Sequence, residues 1–165
     1  MYDSGDYARN EDKRHGMRRI EIVPFEPEHL DLMPVREEEA DIRAHADFKK
    51  WAEINHTPGT SYSGFYEGRL LGCAGIRILW AGVGEAWAQF PPEVINFGKE
   101  AYSYVGEYLQ KIIKDNNLHR VQGNVDSDFL IAHKYIQNLG FKIEGKMRKY
   151  GPTGRDHYLY AWVKE

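Results

Sequence analysis

Between Leu118 and Phe141 the chain reads LHRVQGNVDSDFLIAHKYIQNLGF. That run allows little besides a strand, a turn, a helix and a stop in quick succession. Val121 and Val125 flank polar residues at near-alternating spacing, as a half-buried strand requires. Asp126, Ser127 and Asp128 are turn and N-cap residues directly ahead of an apolar-periodic run. Leu130, Ile131, Lys134, Tyr135, Asn138 and Leu139 recur at helical spacing. Gly140 can end that helix in a left-handed conformation.

The rest of the chain supplies further elements of the same kinds. Arg19 to Phe25 alternates as a first strand, with Pro24 near its end or at a sheet edge. Glu28 to Met33 is a short helical piece stopped by Pro34. Glu37 to Ile54 reads as one longer helix, and Glu37 to Glu39 as its solvated first turn beside the positive end of the dipole. Tyr62 to Tyr66, Glu67-Gly68 and Leu70 to Trp80 form a hairpin. Gly72 and Gly75 in its second strand point to a bulge or a close backbone approach. Glu85 to Phe90 is the next strand. Pro91-Pro92 breaks it and opens a helix whose apolar face runs from Val94 to Ile113 and which ends near Asp115 to Asn117. Lys142 to Tyr150 and Arg155 to Val163 close the chain as two strands around a Gly151 to Gly154 turn. This order predicts an α/β fold: a mixed, mostly antiparallel central sheet with helices on both faces.

At 165 residues the chain is long enough for one domain with a real core. Residues 1–16 are polar and aperiodic and read as a tail, leaving residues 17–165 as the domain. A net charge of -3 gives nucleic-acid binding no electrostatic support. The single cysteine, Cys73, excludes an internal disulfide and makes the cytosol the default setting. No apolar run is long enough to span a bilayer. The seven histidines show no metal-ligand spacing. Cys73 reads as a small buried residue, and Lys142, Lys146, Arg148 and Lys149 as a solvated strand face.

From Arg19 onward the order of elements resembles the GNAT superfamily of N-acetyltransferases. The branch that acetylates protein N-termini, ribosomal proteins and small amines is most similar. Leu118-His119-Arg120-Val121 looks like the opening of that branch's fifth strand. Ala132 matches the alanine of the next helix, and Leu139-Gly140-Phe141 the motif closing it. Tyr150 to Tyr160 resembles the final hairpin. The resemblance implies that acetyl-CoA lies in a splay between the fourth and fifth strands, with Phe90 and Val121 beside it. It also implies that the pyrophosphate rests on backbone N–H groups where the following helix starts, because free donors and a positive dipole favour an anion.

The family writes that loop Arg/Gln-x-x-Gly-x-Gly/Ala. Aligned on Gly98, the basic position is Ile95 and the last small residue is Glu100, so one signature position of three survives. Glu100 brings a carboxylate toward the phosphates, and Lys99 is the compensating charge. The asparagine that commonly contacts the cofactor aligns with Phe129, and the acid tyrosine with Ile136. Tyr135 lies one residue away, about 100° round the helix. Glu85 is the general-base candidate by position, able to take an amine proton directly or through water; a solvated strand end is the plainer reading of it.

Two functions follow from this resemblance. One is an acetyl-CoA-dependent N-acetyltransferase acting on a small amine or a protein N-terminus, with Glu85 and Tyr135 as catalytic candidates and Phe90, Gly98, Lys99, Glu100 and Val121 at the cofactor. The other is a non-catalytic protein that keeps the fold, as in phage virions, and works through protein partners or self-assembly. The first belongs in the cytoplasm, the second in a virion.

Overall fold

The computed structural model describes residues 16–165. Nearly all of the segment read as a tail, residues 1–15, lies outside the described residues. The chain begins with β1 (Glu21–Pro24) and a 3-10 turn at Pro27–Leu32. A second 3-10 turn, Glu37–Glu39, leads into α1 (Ala40–Ala44), followed by α2 (Phe48–Ile54). Then come β2 (Ser61–Tyr66), β3 (Arg69–Trp80), β4 (Val83–Gln89), a 3-10 turn at Pro92–Phe97 and α3 (Gly98–Asp115). The chain closes with β5 (Arg120–Asp126), α4 (Leu130–Asn138), β6 (Lys142–Met147) and β7 (His157–Val163).

The strands form one seven-stranded sheet in the order β1-β2-β3-β4-β5-β7-β6. Every neighbouring pair is antiparallel except β4 and β5. α3 makes the crossover that a parallel pair demands. The architecture is the mixed, mostly antiparallel sheet that the order of elements implies.

Each sheet face has its own core. On one face Ile76, Val121, Val125 and Tyr160 meet Leu109, Ile112 and Ile113 of α3, with Ile136 and Leu139 of α4 packed against them. On the other face Phe25, Leu30, Ala52, Leu70 and Cys73 are covered by Phe48, Trp51 and Trp87. Burying each large apolar side chain contributes about 1.5–3 kcal/mol before entropy is counted. Trp87 stands edge-on to both Phe25 and Trp51, with ring centroids 4.9 and 5.2 Å apart, so much of the aromatic content is core.

Local rules set the joints. Glu67 and Gly68 both take positive φ, which a two-residue hairpin matching the sheet twist needs. The register between β2 and β3 slips at Gly64/Phe65 and leaves Leu71 as the extra residue of a bulge. Gly72 and Gly75 are both close approaches. A Cβ on Gly72 would stand 2.3 Å from the Phe90 ring, and one on Gly75 2.5 Å from the Thr60 carbonyl. Gly140 ends α4 at φ 94, with its own N–H and that of Phe141 donating to the Gln137 and Ile136 carbonyls.

Two readings need correction. The single helix expected over Glu37 to Ile54 is broken. His45 is extended, its N–H bonds the Ile42 carbonyl, and its Nδ1 accepts the Asp47 N–H at 3.2 Å. That local side-chain bond competes with helix continuation. The apolar face of α4 is also turned: Leu130 and Ile131 are exposed, while Ala132, Ile136 and Leu139 pack inward beside Phe129. The i, i+4 and i+7 stripe ending at Leu139 is the one the sheet selects.

Candidate functional site

β4 and β5 are paired only at Val83–Arg120, Gly84–Val121 and Glu85–Gln122. Beyond Glu85 each strand turns to its other neighbour, β4 to β3 and β5 to β7. The sheet therefore opens as a V in its middle. The gap continues into a cleft of about 880 Å³ that reaches both faces of the sheet. Such an opening exposes backbone groups of β4 that no strand partner satisfies, and these are binding surface.

On the α3/α4 side the cleft is bounded by Phe90, Gly98, Ala101, Tyr102, Ala132 and Tyr135. The Tyr135 ring is edge-on to both Phe90 and Tyr102, at 6.1 and 6.2 Å between centroids. Its hydroxyl lies 3.5 Å from the Ala101 carbonyl. Burial, and then the neighbouring Tyr102, holds the Tyr135 phenol above its ordinary range, so it keeps its proton at neutral pH. A Cβ built on Gly98 meets nothing within 4 Å, so open space lies over the first turn of α3.

On the α1/α2 side β4 presents Glu85, Trp87 and Gln89. Glu85 receives a bond from the Arg77 guanidinium at 3.0 Å across the strand pair. Beside it stand Tyr150 and His157, whose rings are 5.2 Å apart, and Asn124, which shares a 2.8 Å bond with His157 Nδ1. Burial lowers the His157 pKa, which favours the neutral ring. Asp126, 7% exposed, accepts two bonds from Arg155 at 2.5 and 2.8 Å. These bonds hold its carboxyl below the usual range. Thr153 donates to Asp41 at 2.8 Å and so ties the β6–β7 loop to α1 across this end of the cleft.

The 3-10 turn before α1 also faces the cleft. Glu38 and Glu39 line it. Burial pushes the Glu39 carboxyl up to about 7, against the lowering effect of Arg36 and Arg43. Glu37 to Glu39 is thus more than a solvated helix start, because Glu39 is a proton-exchanging group near neutrality. Arg36 reaches the tip of the V, donating from Nε to the Phe90 carbonyl at 3.0 Å and from Nη2 to the Pro91 carbonyl at 3.4 Å. Its Cζ lies 5.5 Å from the centre of the Phe129 ring on the opposite arm.

Of the residues singled out in the sequence, Glu85, Phe90, Gly98 and Tyr135 come together around the cleft. Tyr135 points into it despite its offset from the family position. The other three do not line it. Val121 is wholly buried in the core beneath the vertex, because its side chain alternates toward α3. Lys99 is exposed outside the cleft. Glu100 is turned away and buried, its Oε1 accepting both the backbone N–H and Nε of Arg18 at 3.1 and 2.9 Å. Arg18 in turn lies 3.9 Å over Phe97. The carboxylate expected to repel phosphate is therefore a neutralised internal pair. Arg36, Asn124 and His157 were not singled out, and Glu39 was read only as part of a solvated first turn. The alternation of Gln122, Asn124 and Asp126 with Val121, Gly123 and Val125 was the available signal for a polar wall.

Cys73 is buried and accepts a 3.3 Å bond from Ser63. Burial pushes its thiol up to about 11, as suits an inert core residue. Among the described residues no group of His, Cys, Asp and Glu is arranged to hold a metal. None of the described helices is long and apolar enough to cross a membrane.

No protein-family model matches the chain, and no curated protein does. Solved structures do. A GNAT-family acetyltransferase from Bacillus anthracis superposes with a TM-score of 0.66 at 19% identity, covering 89% of this chain and 96% of that one. Ard1 from Thermoplasma volcanium gives 0.72 at 13%, covering 88% and 98%. Ribosomal-protein-S5-alanine acetyltransferase from Vibrio fischeri gives 0.65 at 15%, covering 90% and 95%. At these identities the likeness is one of fold: the chain has the GNAT acetyltransferase fold.

Proposed function

We propose that this chain is an acetyl-CoA-dependent N-acetyltransferase acting on an amine, either a small molecule or a protein N-terminus. The observation that carries the reading is the V between β4 and β5, open to both faces of the sheet beside the start of α3. The residues present fit the cofactor in part. The unpaired end of β4 offers backbone groups to its amide-bearing arm, and the open space over Gly98 leaves α3's first turn approachable by phosphate. The basic side chain that grips phosphate in the family is replaced by Ile95, so backbone and dipole carry that contact here.

Acetyl-CoA, when bound, supplies a thioester activated toward an amine. The chain's own groups then divide by side. On the α1/α2 face the carboxylates of Glu85 and Glu39 attract a protonated amine and take up its proton. Glu39 suits that exchange near neutrality, while one Glu85 oxygen is already engaged by Arg77. On the α3/α4 face Tyr135 Oη holds a proton across the same range. Trp87, Phe25 and Trp51 exclude water from the wall between them.

Thermal shift with acetyl-CoA tests the reading. A cofactor at 100-fold over its Kd adds about 2.7 kcal/mol of stability. Binding is expected to be weak in the wild type and to improve when Ile95→Arg, at an exposed position just ahead of α3, supplies a phosphate partner. Absence of any response in both chains defeats it. The second reading, a non-catalytic partner or virion protein, is favoured by one observation: exposed, apolar Ile95 stands at the position where the family's loop carries a basic or amide side chain.

A further inference from the structure

We propose that Arg36 is a built-in occupant of the β4–β5 splay, and that displacing its guanidinium from the Phe90 and Pro91 carbonyls is the step that admits a ligand between the strands. The inference rests on the acetyl-CoA reading above and adds a residue that governs entry.

The geometry is specific. Past Glu85 the two strands have no bonds to each other. Arg36, from a third element, spans the gap, bonded to the β4 arm at 3.0 and 3.4 Å with its Cζ 5.5 Å from the centre of the Phe129 ring on the other arm. Phe90 and Pro91 carry the first carbonyls after β4 ends, so the guanidinium holds acceptors that an amide-bearing ligand needs. The tie is reversible: both acceptors are neutral carbonyls, each such bond is modest in net terms, and Arg36 is not deeply buried. It is also selective. Two carbonyls stripped of donors favour a ligand that brings N–H groups over a plain hydrocarbon chain, because unmet buried acceptors are costly.

The test uses Arg36→Met, which keeps an apolar stem against Phe129 and loses every donor. Calorimetry with two probes, pantetheine and acetyl-CoA, follows a melting curve that establishes the variant is folded. Both probes are expected to bind the variant about tenfold more tightly than the wild type, the equivalent of one to two lost internal bonds. Equal or weaker binding of both overturns the proposal and leaves the acetyl-CoA reading standing. Weaker acetyl-CoA with unchanged pantetheine also overturns it, marking Arg36 as a phosphate partner. If neither chain binds either probe, this proposal and the acetyl-CoA reading fall together. Should Arg36→Met not fold, Phe129→Leu loosens the same guanidinium from the opposite arm. A smaller gain of the same sign is then expected, and no gain overturns the proposal.

Discussion

Replacing Glu39 with glutamine should make the protein more stable at pH 8 and leave it unchanged at pH 4. Burial raises the Glu39 carboxyl from 4.5 to about 7. A carboxyl raised on folding contributes no penalty below its unfolded pKa. The penalty grows as pH climbs from that value to the folded one, then stays constant. One pKa unit is about 1.4 kcal/mol, so the shift corresponds to about 3 kcal/mol above pH 7. Glutamine keeps the shape and cannot ionise, so it escapes that cost. For a domain of this size the gain corresponds to a rise in Tm on the order of 10 °C at pH 8. Urea melts of both chains at half-unit steps from pH 4 to 8 would show the two stabilities diverging between about 4.5 and 7. A difference that is flat with pH refutes the argument, because hydrogen-bond or packing changes carry no such dependence. A divergence of opposite sign shows that Arg36 and Arg43 outweigh burial. The same substitution should lower activity, since a stability cost retained at a cleft is a sign of function.

Two further outcomes follow from packing and charge. Gly72→Ala should cost about 2 kcal/mol by forcing the Phe90 ring from its seat; a double-mutant cycle with Phe90→Ala should recover much of that loss, and an additive result shows that the ring was never the obstacle. Asp126→Asn should destabilise the protein by about 2 kcal/mol at pH 7. Because Arg155 holds that carboxyl below its usual range, its contribution is full above about pH 4 and fades as pH falls through the lowered value. Melts at pH 7 and pH 3 should show the gap between variant and wild type narrowing in acid.

Local chemistry in the chain was enough to determine most of the elements and their order. The alternation around Val121 and Val125, the positive-φ glycines at hairpin and helix ends and the Pro91-Pro92 break are short-range rules, and they hold here. Glu85, Phe90, Gly98 and Tyr135, which meet at the cleft, were picked out by the family resemblance and not by these rules. Contacts between distant segments escaped them. Arg18 reaches Glu100 across 82 residues and Arg36 reaches Phe90 across 54. Neither pairing has a spacing signature, because periodicity reports which face a residue lies on and not what another element brings to it. The break at His45 is set by a side-chain bond worth little more than the helix bond it replaces, so propensity over 37–54 could not foresee it. Glu39 is the clearest case. Three glutamates before a helix look solvated in a sequence, and only the packed turn beside the splay buries one of them enough to change its proton affinity.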